Sequence, residues 1–429
     1  MNLLGIICVA AFGRVGAVTA DVTRSYTQAK KFQSPTPLPV SSQMFRLLTS
    51  ARDVLLRRPG PASRSMSTIP VTRAPSSLPP NLDQTQFLPV AKGELFSGRY
   101  EALRTLGRGI HSTVWLVRDI RTQQEAAMKV MVASLTNNNR GPDELGIMTI
   151  LRDSSPESLG KVHTCQLLDS FVHDGPHGSH ICLILELMGM SIADVYLSFR
   201  ASLPLILVQR VAKHVLLGLQ YVHAAGVIHT GDNILMTGVG FAEGQSTVNV
   251  DVGDLISATY KLSDFGSANK MSRRWAAMIQ PVALRSPEVL IDAPWDTKTD
   301  IWNFGCLMYE FARGAVLFNP TWQNEQTGMD RTQTHLAQMS GLLGEFPDSF
   351  LAKGEKTKDY FDESGRLLRP GAYEITLSDL LSHAGHSSNE LPPAVDFLSR
   401  ALTIDPEVRW SAAQLLEHPW MQNIGPRRI

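Results

Sequence analysis

A chain of 429 residues is longer than a single hydrophobic core usually serves, so two or three domain-sized units fit within it. Lys plus Arg and Asp plus Glu are both 40, a balance that gives no push toward nucleic acid or an anionic membrane, and neither is expected as a direct partner. The four cysteines (Cys8, Cys165, Cys182, Cys306) include no C-x-x-C pair, which argues against a disulfide framework and a structural zinc site and fits a reducing compartment.

Charge is unevenly placed. Up to residue 82 there are ten basic residues, among them Arg46, Arg57, Arg58 and Arg73, against two acids, Asp21 and Asp53. The stretch is rich in Ser, Pro and Thr and cannot bury enough apolar surface to offset the entropy of ordering, so residues 1–92 are expected to be a disordered or targeting extension. Targeting readings compete inside it. Leu3 to Phe12 is apolar and is followed by small residues, as in a secretory signal, but no basic residue precedes it. Met44 to Arg58 is Arg-rich, Ser-rich and poor in acids, the composition of a mitochondrial transit peptide. An untargeted basic tail on a cytoplasmic or nuclear protein is the third reading. No run reaches the ~18 apolar residues that span a bilayer, so no transmembrane segment is expected.

From about Gly93 the pattern changes. Tyr100 to Asp119 reads as two strands joined by a turn containing Gly107 and Gly109, and Glu125 to Met131 as a further strand carrying Lys129. Glycine suits such a turn because a missing Cβ lets backbone N–H groups approach phosphate oxygens. Ala126-Ala127-Met128-Lys129 places a Lys fifteen residues after Val114, with Glu144 downstream as an ion-pair partner. Ile181 to Leu185 is a short apolar run suited to a strand covered on both faces. After Gly189 the character turns helical: Leu207, Val211, Val215, Leu219 and Val222 line one face, and Gly226 suits the C-terminal cap. Apolar clusters at Ile301 to Phe311, Leu336 to Leu343, Val395 to Leu402 and Ala412 to Leu416 read as later helices. A strand-rich part followed by a helix-rich part implies an α+β, bilobal fold with a cleft between the lobes. The boundaries expected are residues 93–188 for the smaller lobe and 189–424 for the larger.

Asp264-Phe265-Gly266 supplies an Asp suited to Mg²⁺ through hard oxygen ligands. Ser286-Pro287-Glu288, Asp300-Ile301-Trp302-Asn303-Phe304-Gly305 and Arg409 follow at long spacing. In this order the motifs resemble those of the eukaryotic protein kinases over residues 93 to 424. Within them the chain is similar to the SR-protein kinases, especially short fungal members. That resemblance rests on Gly107-x-Gly109-x-x-Ser112-Thr113-Val114-Trp115-Leu116, on Gln166-Leu167-Leu168-Asp169-Ser170-Phe171, on Ile228-His229-Thr230 and on the roughly thirty residues from Asn233 to Asp264. It implies a monomeric protein serine/threonine kinase that uses ATP and Mg²⁺ on protein substrates, with Arg-Ser-rich splicing or RNA-processing proteins as the substrate class. It also implies roles for individual residues. Lys129 and Glu144 are the catalytic ion pair. Leu106, Gly107, Gly109, Ser112, Val114 and Ala127 line the nucleotide site with Lys129, Glu186 and Met188 stand at the adenine hinge, and Asn233 and Asp264 hold the metal. Glu288 and Arg409 are expected to form a buried structural pair. Pro281 stands where most serine/threonine kinases have a Thr. Residues 341 to 390 carry nine acids against five bases, a mild excess for docking basic substrates.

One departure is serious. The family's loop H-T-D-x-K-x-x-N has five residues between Thr and Asn, whereas here only Gly231 and Asp232 separate Thr230 from Asn233. Aligned on Asn233, the catalytic Asp and its Lys are both absent. Aligned on Asp232, no Asn follows at the required place, because Thr237 falls there. An ATP-binding pseudokinase scaffold, an enzyme lineage with a lesion in its loop, and a kinase that draws its base from elsewhere all remain open.

Overall fold

The computed structural model describes residues 68–73 and 83–422, apart from 137–142, 155–157, 200–201, 372–374 and positions 277, 323, 383, 385 and 388. The candidate targeting segments before residue 68 lie outside the described residues. The first described element is a strand, β1 (Thr68–Thr72).

Six strands then form the smaller lobe: β2 (Leu95–Phe96), β3 (Tyr100–Arg108), β4 (Ser112–Asp119), β5 (Glu125–Met131), β6 (Leu167–Gly175) and β7 (Gly178–Leu185). All pairs are antiparallel, in the order β2-β3-β4-β5-β7-β6. The hairpin at residues 108–112 and the strand over Glu125–Met131 match the alternation in the sequence. Phe96, Tyr100, Ala102, Val117, Met128, Val130, Cys182 and Ile184 fill one face of this sheet and make a core of their own. Helix α1 (Glu144–Asp153) begins at Asp143, whose side chain accepts the Gly146 N–H at 2.8 Å, and it buries Ile147, Met148 and Leu151.

The larger lobe is helical. It holds α2 (Ile192–Phe199), α3 (Leu205–Ala224), α4 (Lys298–Arg313), α5 (Arg331–Leu343), α6 (Leu391–Ala401) and α7 (Ala412–Leu416). Among the described helices, α3 alone is long and apolar enough to cross a membrane, and most of it is buried in this lobe. It stops at Gly226, which takes φ +72° where a side chain would be strained. Helix α4 is buried from Thr299 to Ala312 and is the axis of the core.

Five short strands thread between these helices: β8 (Val227–Ile228), β9 (Ile234–Met236), β10 (Thr247–Asp251), β11 (Tyr260–Leu262) and β12 (Asn269–Lys270). β9 pairs with β11 and β8 with β12, so the chain on either side of Asn233 and Asp264 is fixed by backbone ladders.

The partner of β1 is β10, in an antiparallel register from Thr68↔Asp251 to Thr72↔Thr247. The expectation of disorder through residue 92 is therefore corrected. Val71 is wholly buried in the core of the larger lobe, and Leu88 packs on the core of the smaller one. The composition of the extension as a whole hid a short alternating segment, Thr68-Ile69-Pro70-Val71-Thr72. Pro70 is tolerated because β1 is an edge strand.

Candidate nucleotide site and catalytic loop

Lys129 sits in β5 between Val114 of β4 and Leu183 of β7. Its Nζ lies 2.7 Å from Glu144 Oε1, at the start of α1, and 2.7 Å from Asp264 Oδ1. Burial alone would lower the Lys129 ammonium, but the Asp264 and Glu144 carboxylates outweigh it and hold the group above the usual lysine range. The Lys129 charge in turn keeps the Asp264 carboxyl below its ordinary value. The three groups expected to meet from separate elements do so. A second contact holds the same end of α1: Lys270 Nζ lies 2.9 Å from Oδ2 of Asp143, the residue that caps the helix N-terminus.

Asp264 adopts φ +57°, an uncommon conformation for a non-glycine residue. The described hydrogen bonds of its side chain use Oδ1, and the side chain is 40% exposed, so Oδ2 suits a hard cation. A Cβ on Gly266 would stand 3.0 Å from Asp264 Oδ1 and 3.2 Å from Glu144 Oε2, so a side chain there would crowd both carboxylates. Asn233 is held next to this turn by its carbonyl, which accepts the Ser263 N–H at 3.0 Å, while its buried Nδ2 has no described partner. The outward Asp264 oxygen fits Mg²⁺, and Asn233 would join it through its amide oxygen, since Nδ2 is a donor and not a ligand.

The turn closes through Gly109 N–H to the Ser112 carbonyl at 2.8 Å, and a Cβ at Gly107 would meet open space. Leu106 and Val114 are half-buried, and Ser112 and Ala127 are buried. His111 at the tip went unnoticed in the sequence. The residue is exposed and feels the charges of both Asp264 and Lys129. Its place between Gly109 and Ser112 was the one available signal.

At the hinge, the Glu186 N–H donates to the Gln166 carbonyl at 3.0 Å, so its carbonyl is the backbone group left for an adenine. The Glu186 carboxylate is engaged by Lys261 Nζ at 2.8 and 2.7 Å, a pairing not foreseen. Met188 is half-buried beside it. The expected structural pair is present: Arg409 reaches Glu288 through two hydrogen bonds, with both side chains fully buried. Pro281 starts a short 3-10 turn, and the neighbouring Gln280 accepts the Ser286 N–H at 3.0 Å.

Comparison with known sequences agrees with this geometry. Residues 100–421 match the family described as Protein kinase domain. The chain belongs to the protein kinase family. Its relatives place it in the SR-protein-kinase group. It is 31% identical to a serine/threonine-protein kinase SRPK of Physarum polycephalum, over 79% of this chain and 89% of that one. It is 25% identical to protein kinase dsk1 of Schizosaccharomyces pombe, covering 79% and 83%. It is 23% identical to SRSF protein kinase 3 of Mus musculus, covering 84% and 95%.

The catalytic loop of this kinase is well anchored at its start. The His229 and Thr230 N–H groups donate to the two carboxylate oxygens of Asp300 at 2.8 and 2.7 Å, and His223 Nε2 lies 2.8 Å from the same side chain. Burial would raise the Asp300 carboxyl, yet the bond from His223 and the neighbouring imidazoles hold it below its ordinary range. Thr230 takes φ +56°, costly for a β-branched residue at about 1–3 kcal/mol, and donates its hydroxyl to the Ser267 carbonyl at 2.6 Å. Asn303 then donates to the Gly231 carbonyl at 2.6 Å. Asp232, the loop's sole carboxylate, is only 2% exposed. The short loop runs close to α4 and turns its acid inward.

Proposed function

We propose that this polypeptide is an ATP- and Mg²⁺-binding kinase core of SR-protein-kinase type whose phosphoryl transfer is strongly reduced by its short catalytic loop. One observation carries the reading. The Lys129–Glu144–Asp264 cluster is assembled, while Asp232 is buried rather than turned to an acceptor.

In this reading Lys129, steadied by Glu144, reaches the α- and β-phosphates. Backbone N–H groups around Gly107 and Gly109 cover them. Leu106, Val114 and Ala127 wall the base, and the Glu186 carbonyl with the Met188 backbone orients its edge. Asp264 and Asn233 supply oxygen ligands; bound Mg²⁺ neutralises charge on the phosphates. No loop carboxylate remains to take the acceptor hydroxyl's proton, a contribution of about 10²–10⁴-fold. The missing Lys removes a further positive charge from the transferring group.

Thermal unfolding with and without Mg-ATP tests the binding half. A stabilisation lost in Lys129→Met and made Mg²⁺-independent in Asp264→Ala supports the assignment; an equal shift in Lys129→Met refutes it. Robust phosphorylation of an Arg-Ser peptide, abolished by Asp264→Ala, would refute the impaired reading.

A second reading is an active serine/threonine kinase that transfers the ATP γ-phosphate to proteins. It is favoured by the survival of Lys129, Glu144, the Asp264-Phe265-Gly266 turn and the Glu288–Arg409 pair. Arg-Ser-rich proteins are the substrate class proposed, with the protein acting as a monomer in the cytoplasm or nucleus; mitochondrial import through the basic extension is the alternative.

A further inference from the structure

Strand β1 lies well ahead of residue 100, where the kinase family match begins, yet it is built into the body of the protein. Beyond its ladder with β10, the Thr72 N–H donates to Ser198 Oγ on α2 at 2.9 Å, and the Arg73 N–H donates to the Ser246 carbonyl at 2.9 Å. Val71 and Val250, on neighbouring strands, are both fully buried. The segment from Met236 to Thr247, between β9 and β10, is therefore held from one side by residues that precede the kinase domain.

The same segment touches the nucleotide cleft from the other side. The Gly189 N–H, just past the hinge, donates to the Met236 carbonyl at 2.8 Å, and the Met190 N–H donates to Val239 at 3.0 Å. A Cβ on Gly189 would stand 2.2 Å from the Val239 carbonyl oxygen, so the hinge and this segment are in direct backbone contact. Phe241 completes the bridge. Its ring lies under the Arg73 guanidinium, 4.7 Å from the ring centroid, and its carbonyl accepts a hydrogen bond from Arg104 at 3.2 Å. Arg104 belongs to β3, which leads directly into Gly107 and Gly109. It lies between two register shifts in the β3–β4 ladder, where the strand already departs from regular pairing. The exposed Lys92–Glu243 contact at 4.0 Å adds little to this link.

We propose that β1 is a positioning strap: through Arg73, Phe241 and Arg104 it sets the placement of β3 and its glycine turn, so that nucleotide affinity depends on residues 68–73. This rests on the nucleotide-binding reading above. Without the strap, β10 becomes an unpaired edge, Phe241 loses its cover and Arg104 loses a fixed acceptor. Removal of any leader would then have to stop ahead of Thr68 to leave the site intact. Arg73 and Arg104 touch no reacting atom; they act through Phe241.

The test uses the full chain, titrated with a fluorescent ATP analogue in Mg²⁺. Arg73→Ala should weaken binding about three- to ten-fold while leaving the unfolding midpoint nearly unchanged. Arg73→Lys keeps a cation over the ring and should restore most of the affinity. Arg104→Ala should weaken binding as well, and the double variant should fall short of the product of the two effects. Equal affinity in Arg73→Ala and the wild-type chain would overturn the strap. Absence of any wild-type binding would overturn the nucleotide assignment instead. Amide hydrogen exchange over residues 102–107 of the nucleotide-free chain then decides the strap alone: faster exchange in Arg73→Ala supports it, and unchanged exchange overturns it.

Discussion

Arg409 places Nη1 2.7 Å and Nη2 2.9 Å from the two carboxylate oxygens of Glu288, and neither side chain has any exposed surface. The guanidinium also donates to the carbonyls of Thr403, Ile404 and Lys298, so its donors are engaged on several sides. Arg409→Ala strands a buried carboxylate and should destabilise the protein by about 3–5 kcal/mol. Removing both charges, Arg409→Met with Glu288→Leu, should cost less than the two single changes added together. Urea unfolding of Arg409→Met, Glu288→Leu and the double variant measures this; simple additivity would show that the pair is not a unit.

Acid should loosen the larger lobe well above the carboxylate range. His335 on α5 is buried against Phe318, with ring centroids 5.1 Å apart, and its Nε2 has no described hydrogen-bond partner. Burial, helped by the Arg285 charge, pushes its imidazole down to about 3. The unfolded chain titrates near 6.5, so between the two values the unfolded state binds the extra proton. The stabilisation is complete above pH 6.5 and is lost as pH falls toward 3, with a slope of up to about 1.4 kcal/mol per pH unit. His214, stacked on His163 and also pushed down to about 3 by burial, adds a second such group. His335→Phe should therefore lower the slope of stability against pH between 6.5 and 4.5 without abolishing it. An unchanged slope in urea titrations would remove His335 from this account.

The legible and illegible parts of the chain divide on physical grounds. The face of α3 could be read because Leu207, Val211, Val215, Leu219 and Val222 all go to one core, and burial imposes its period on the residues. Lys129, Glu144, Asp264, Glu288 and Arg409 could be read because chemistry restricts each position to one residue type in a fixed order. β1 could not. Five residues with two inward apolar side chains carry little signal when the partner strand lies about 180 positions away. The Lys261–Glu186 pair was also hidden, since neither residue is unusual for its place until the strand before Asp264 is set against the hinge.

That pair makes a prediction of its own. Lys261 joins β11, just ahead of Asp264, to Glu186, the residue whose carbonyl we propose meets the adenine. Lys261→Met leaves Glu186 with the Gln166 N–H, a donor at 2.8 Å, as its described partner in a largely buried setting. The expected loss of stability is about 1–3 kcal/mol, with weaker nucleotide binding from a hinge no longer fixed. Thermal unfolding and the ATP-analogue titration read the two effects separately. A variant as stable as wild type and with full affinity would mean that the pair is incidental.

The sharpest test concerns the catalytic loop, because its flanks are already in place. Inserting Asp-Leu-Lys between Thr230 and Gly231 restores five residues before Asn233 and keeps Gly231 and Asp232 as the last two. The upstream anchors need not move, since the His229 and Thr230 N–H groups still face Asp300. The downstream anchor, the Asn233 carbonyl on the Ser263 N–H, is likewise independent of the inserted residues. Transfer to an Arg-Ser peptide should then rise about 10²–10⁴-fold over the unmodified chain, with nucleotide affinity changed far less. Inserting Asn-Leu-Lys lengthens the loop equally but supplies no carboxylate, and should recover much less. If both insertions gave the same rate, loop length would be the defect; if neither raised it, the missing acid would not be what limits this protein.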